Sequence, residues 1–457
     1  MDKFFKIKER GSSYRKEIIG GFTTFFAMAY IIFVNPSMLQ ATGMDAVGVA
    51  VATCLSACLG TLLTALLGNV PFAQAPGMGL NAFFTYTVCF GMGFTWQQAL
   101  TIVLISGILF LLISLSPLRS KVIASIPMSL KSAISAGIGL FVTLIALLNS
   151  GVVVLGSGVP DFGAITKGSC LLVMIGLIIT IILMVCKVKG ALFLGILATA
   201  AVGLIPTLLG SDFFGVFTTV DASGAEVAVY DITKIANISK VAFKFDFAGL
   251  FTSGTVILSF ITAVVSFFIC DMFDTIGTLI GTAGKAGMLD QNGNLPGGDR
   301  ALIADAIATC AGSCMGTSTV TTFVESSAGI SAGAKTGFSS LIVSALFGLS
   351  VLITPIFGIL SLNAWFIYAI TAPALIIVGV LMMGSAAKVK WDDLEEAIPC
   401  FLTIALMPFA YSISDGIGFG FISYTIIKVC RGKAKQVPIL MYILSALFIA
   451  MYILSNL

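Results

Sequence analysis

The chain has 457 residues, of which 58% are hydrophobic and only 10% charged, with a formal charge of +3; so little polar side chain cannot clothe a water-soluble surface. The composition calls for a polytopic protein in a lipid bilayer. Its few cations are spread through short loops and suggest no nucleic-acid partner, and ten cysteines without a histidine, most of them in apolar stretches, read as small packing residues, with no metal or cofactor implied.

Residues 1–18 form a basic N-terminal stretch that leads into a full-length apolar run, so this run reads as an insertion signal and not as a cleaved leader. Stretches near the ~20 residues needed to cross a bilayer follow at 19–35, 46–68, 76–91, 97–117, 127–149, 167–187 and 190–209. These seven make a first repeat over 19–210. A polar stretch over 211–250 reads as an extracellular linker or short hairpin. Seven more apolar stretches, at 253–281, 301–316, 323–334, 337–361, 363–385, 397–411 and 415–429, make a second repeat over 251–430. The C-terminal segment 431–457 carries one further apolar run at 438–456, which either crosses or lies at the interface.

With a cytoplasmic N-terminus and fourteen crossings, all of the 24 Lys and Arg except Lys167, Lys234, Lys240 and Lys244 fall on the inside. That asymmetry is the positive-inside pattern and supports both orientation and count. The halves also match in sequence: 51–61 reads VATCLSACLGT and 307–317 reads IATCAGSCMGT. An odd number of spans per half sets the two copies upside down to one another, as an inverted repeat.

After each matching helix comes a stretch ill suited to an ordinary span. Residues 69–81 hold two prolines and two glycines, and 316–329 pass from β-branched residues to serine and glycine. Both read as a short extended piece leading into a half-helix. Irregular backbone at membrane depth must be buried in protein or line a cavity, so the two should face each other around a central site. Ser326 and Ser327 read as helix N-caps there, aiming the positive end of the half-helix at the site, with Glu325 at the junction.

In 253–281, Asp271 and Asp274 stand without a basic neighbour, and a charge at that depth costs at least ~2.5 kcal/mol, which marks an ion or substrate path. Helical spacing groups Asp271, Asp274, Thr275 and Thr278 as one polar stripe facing the interior. Two carboxylates at i and i+3 repel when both are ionised, so the pair favours holding a proton, and with no histidine in the chain, proton coupling would rest on these acids. A buried carboxylate accepts two N–H bonds from the edge of a 2-amino-6-oxopurine, and Asn81 offers a donor and an acceptor. Phe25, Phe26, Tyr30, Phe83, Phe84 and Phe323 are candidates for a stacking wall. Gly277, Gly281, Gly284 and Gly287 read as positions where helices pack closely while they move.

The stretches GGFTTFFAMAYIIFVNPSML (20–39), AQAPGMGLNAFFTY (73–86), CDMFDTIGTLIG (270–281) and TSTVTTFVESSAGI (317–330) resemble the second nucleobase/cation symporter family, in the xanthine/uracil permease superfamily, and within it the AzgA-like purine branch. The likeness runs from about residue 15 to 430. It implies an all-α fold of fourteen transmembrane segments as seven plus seven inverted repeats, with short strands in segments three and ten. A core domain would take 19–117 and 251–361, and a gate domain 127–209 and 363–430. The resemblance further implies a purine nucleobase (guanine or hypoxanthine, with adenine open) bound by Asp271, Glu325 and Asn81; of the candidate aromatic wall, Phe323 is the one chosen to stand beside the base. Asp271, Asp274 and Glu325 would serve proton coupling, with Na+ still open. It also implies elevator-type alternating access, a homodimer joined through the gate and a place in the plasma membrane. A carrier for xanthine, uracil or an inorganic or organic anion, or a channel, are the alternatives. An enzyme is not expected, because no nucleophile, base or metal constellation is present.

Overall fold

The computed structural model describes residues 2–116, 125–156, 159–164, 168–208, 231–290, 295–357 and 364–455. Each of the fourteen expected segments is there. Local chemistry sets their starts: Ser13 accepts from the Lys16 amide ahead of Tyr14–Met28, Asp45 from the Gly48 amide ahead of Ala46–Leu63, and Thr95 with Gln98 forms a capping box for Trp96–Leu115. The first segment is broken at Ala29–Tyr30 and resumes as Ile31–Leu39. The first repeat continues with Met128–Asn149, Gly168–Val185 and Ala191–Leu208.

In the second repeat the eighth segment is a 32-residue helix, Gly254–Lys285, and the ninth is Gly298–Met315. The later ones are Gly337–Ser350, Ala364–Met383, Leu394–Phe409 and Ile413–Cys430, followed by a last helix, Ile439–Ser455. Among the described residues nine helices are long and apolar enough to cross a membrane.

Four short strands interrupt the helices: β1 (Gln74–Pro76), β2 (Val153–Gly156), β3 (Val159–Phe162) and β4 (Val320–Thr322). β1 and β4 pair antiparallel with Gln74 opposite Thr322, Ala75 opposite Thr321 and Pro76 opposite Val320. Each strand follows one of the two matching helices, so an antiparallel pair brings the repeats together in opposite senses. β1 continues into Met78–Ala82 and Phe83–Gly91, and β4 into Ser326–Ser331. These are the third and tenth segments.

Packing falls into two groups. The fourth segment lies on the ninth, the second on the ninth and eleventh, and the first on the eleventh. The fifth lies on the twelfth and thirteenth, the sixth on the seventh and twelfth, and the thirteenth on the fourteenth. The last helix rests on the fourteenth and eighth, where Thr425 and Ser445 share a hydrogen bond at 3.0 Å.

In the described part of the 211–250 linker, Ile232–Lys240 and Ala248–Phe251 are 3-10 turns, the first started by Asp231, which caps the Thr233 amide; residues 211–230 lie outside the described residues. A hairpin, β2–β3, lies between the fifth and sixth segments. One expectation about elements needs correction. Close helix contact also occurs at other glycines than the four expected. A Cβ on Gly277 or Gly281 would meet nothing within 4 Å, whereas one on Gly107 would sit 2.9 Å from Cys310 Sγ, where the fourth and ninth segments touch. All ten cysteines are unpaired; most pack inside, but Cys186 and Cys430 are exposed.

Candidate functional site

The β1–β4 pair is the floor on which the site is built. All six strand residues are buried, and β-branched Val320, Thr321 and Thr322 suit the extended backbone. The chain leaving each strand is tied to the other one: Gly77 donates to Thr319 O at 3.1 Å, Phe323 to Ala73 O at 3.0 Å, and the Ala73 amide to Ser326 Oγ at 3.0 Å. The backbone groups of this irregular stretch are thereby paired at membrane depth.

That last bond corrects the expected cap. The N-cap position of Ser326–Ser331 is Glu325, whose side chain makes no capping bond, and the Ser326 hydroxyl is spent on β1. A half-helix of 6 residues gives no basis for a dipole argument.

Three carboxylates meet the strands through hydroxyl and amide donors. Asp271 Oδ2 accepts from Thr309 Oγ1 at 2.9 Å, and the same hydroxyl lies 3.0 Å from Val320 O. Asp305, fully buried on the ninth segment, accepts from Gln74 Nε2 at 2.9 Å, Thr322 Oγ1 at 3.2 Å and Thr275 Oγ1 at 2.8 Å. Thr275 and Thr321 share a bond at 2.8 Å, and Thr321 reaches Asp274 Oδ2 at 3.5 Å. Buried carboxylates of this kind persist only when such donors are supplied.

Along the eighth segment Asp271, Thr275 and Thr278 are buried behind the strands, whereas Asp274 lies at the exposed edge of the same side, still in reach of Thr321 on β4, with Gly277 exposed one turn on.

Glu325, half-buried, accepts at Oε1 from the Tyr30 hydroxyl at 2.6 Å, and the Tyr30 and Phe323 rings lie 6.5 Å apart. Asn81 is fully buried; its Oδ1 accepts from Ser318 Oγ just before β4, and its Nδ2 has no partner among the described residues. Asn35 donates to Thr53 at 2.7 Å and Thr317 at 2.8 Å, joining the first two segments to the lead into β4.

The structure thus gathers Asp271, Asp274, Glu325, Asn81 and Phe323 on β4 and its flanks. It also adds Asp305, Gln74 and Thr309, and sets Tyr30, a candidate for the stacking wall, as a hydrogen-bond donor to Glu325. Asp305 is an acid inside the apolar run 301–316 and could have been found by the reasoning that found Asp271. Of the candidate aromatic wall, Phe83 packs edge-on to Phe267 at 4.5 Å, Phe25 meets Phe347 at 5.2 Å and Phe26 meets Phe193 at 6.4 Å, so each of these rings packs on another ring. Phe84 is fully buried. Among the described residues no group of three or more His, Cys, Asp or Glu is placed to hold a metal.

The permease family described as Xan_ur_permease matches residues 15–419. The guanine/hypoxanthine permease PbuG of Bacillus subtilis (strain 168) is 41% identical over 463 residues, covering 99% of this chain and 99% of its own. The adenine permease AdeQ of Escherichia coli (strain K12) is 38% identical over 457 residues, covering 100% and 97%. The transmembrane domain of the cyanobacterium bicarbonate transporter BicA superposes with a TM-score of 0.60 at 15% identity, over 88% of this chain and 97% of that one. The shared architecture is the fold of seven plus seven segments in inverted repeats.

Proposed function

The chain belongs to the xanthine/uracil permease family, whose members are transporters and not enzymes, and from that membership we propose that it imports purine nucleobases by proton symport. The observation that carries the substrate class is full-length similarity to guanine/hypoxanthine and adenine permeases, at 41% and 38% identity. Guanine and hypoxanthine come first and adenine second. A neutral base with N–H edges also suits a site whose ionisable groups are acids.

In this reading Glu325 and Asn81 bind the edge of the base, with Phe323 beside it. Asp271 and exposed Asp274 serve coupling, with H+ as the driving ion and Na+ as the variant to be tested. Residues 19–117 and 251–361 form a core that moves as an elevator against a gate of 127–209 and 363–430; the two packing groups support that division. The molecule would work as a homodimer through the gate, in the plasma membrane, with its N-terminus cytoplasmic as the Lys and Arg distribution favours. An anion carried on the same fold is the second substrate class, but it would meet carboxylates on exposed Asp274 and half-buried Glu325.

Uptake of radiolabelled guanine, hypoxanthine, adenine, xanthine and uracil into proteoliposomes, with and without an inward proton gradient, tests this. Gradient-dependent accumulation of purines, abolished in Glu325→Gln, is the expected result. Folded protein that moves no base under a proton or a sodium gradient would overturn it.

A further inference from the structure

We propose that Tyr30 is a positioning residue that fixes the plane of the Glu325 carboxylate and so sets the preference between bases presenting two adjacent N–H groups and bases presenting one. The inference rests on the nucleobase reading above. Tyr30 sits at the break in the first segment, between Tyr14–Met28 and Ile31–Leu39, and is fully buried. Its hydroxyl donates to Glu325 Oε1 at 2.6 Å across 295 residues of sequence. Both ends of that bond are held. The Tyr30 ring lies against Phe323, whose amide is tied to Ala73 O at 3.0 Å, next to β1.

Glu325 is half-buried, and Val324 beside it is 51% exposed, so the carboxylate lies at an accessible edge of the site. The terminal torsion of a glutamate is broad, so the plane of a carboxylate with nothing holding it turns freely. One donor at Oε1 takes one of about four lone-pair directions and fixes that plane, leaving the others aimed at a ligand. Guanine presents N1–H and the 2-amino group side by side and needs both acceptor directions coplanar with its ring. Hypoxanthine lacks the 2-amino group and presents N1–H alone, which can follow a turning oxygen. Removing the Tyr30 hydroxyl therefore penalises guanine more than hypoxanthine.

The test is equilibrium binding of radiolabelled guanine and hypoxanthine to purified wild type and Tyr30→Phe, which keeps the ring and its contact with Phe323. The expected result is a loss of about tenfold in guanine affinity relative to hypoxanthine, the scale of one charge-assisted hydrogen bond. A purely structural role would lower the fraction of active protein, or weaken both bases alike, and leave the ratio unmoved. An unmoved ratio overturns the proposal. If Tyr30→Phe is not monodisperse, Tyr30→Met is read by the same ratio. Wild-type protein that binds neither base overturns the nucleobase reading instead, so the two failures are distinguishable.

Discussion

Asp305 is served by three donors that converge from three different parts of the chain: Gln74 on β1, Thr275 on the eighth segment and Thr322 on β4. Substituting asparagine turns one acceptor oxygen into an N–H donor facing other donors. Asp305→Asn is expected to cost about 2 to 4 kcal/mol of stability, because a buried polar group is then left facing the wrong partner. A lowered unfolding temperature in detergent checks this, and an unchanged one would mean that the donors reorient freely. The acids of this site were legible in the sequence as charges in apolar runs, Asp305 no less than Asp271. Tyr30 was not, because nothing in a linear pattern tells which of six aromatic residues meets an acid that lies 295 positions away.

At the scale of elements, broken helices were legible where the chemistry of breaking is local. Prolines and glycines in 69–81 and the β-branched run before Ser326 predicted both strands. The side-chain partners that close the motif are tertiary, and so Ser326 was assigned to its own helix although it binds Ala73. The same holds for Asn69, whose left-handed backbone (φ 49) ends the second segment. Its side chain joins Phe5 O at 3.1 Å to the Gly337 amide at 2.9 Å, while its carbonyl takes Arg10 at 2.6 Å. Gly277 has a different meaning from the one its residue type suggests. Because its Cα faces open space on the exposed side of the eighth segment, Gly277→Leu should leave the unfolding temperature unchanged, or raise it slightly through better helix propensity. It should slow uptake by filling space next to Asp274. A marked fall in unfolding temperature would show that the glycine packs against a neighbour after all.

For the whole molecule, the repeat, the span count and the order of elements were legible, since hydropathy and one matched helix pair suffice for them. Which spans pack together was not, because apolar faces of similar composition carry no address. One polar cluster does carry such an address. Glu395, at the start of the thirteenth segment, accepts from Lys428 at 2.7 Å, Arg431 at 3.0 Å and Lys433 at 2.7 Å, all at or beyond the end of the fourteenth. The Glu395 and Lys428 side chains are only 11% and 9% exposed. Glu395→Ala leaves the Lys428 ammonium without its carboxylate and should loosen the pair of helices, read as a lower unfolding temperature or as protease cleavage between 430 and 440. Intact, equally stable protein would show that the cluster is only a surface feature.

The strand pair has a consequence for how the protein is made. Gln74 and Thr322 are 248 residues apart, so at ordinary translation speeds roughly 10 to 50 s pass between the synthesis of the two edges. Throughout that interval Thr61 already serves the Gln74 amide at 2.9 Å and its carbonyl at 3.0 Å, but the edge of β1 that will meet β4 is unanswered, a condition lipid does not tolerate. The first repeat must therefore be sheltered until its counterpart arrives, and a chain halted before residue 320 is an unfinished half with an open edge, suited to misassembly and to removal by proteases.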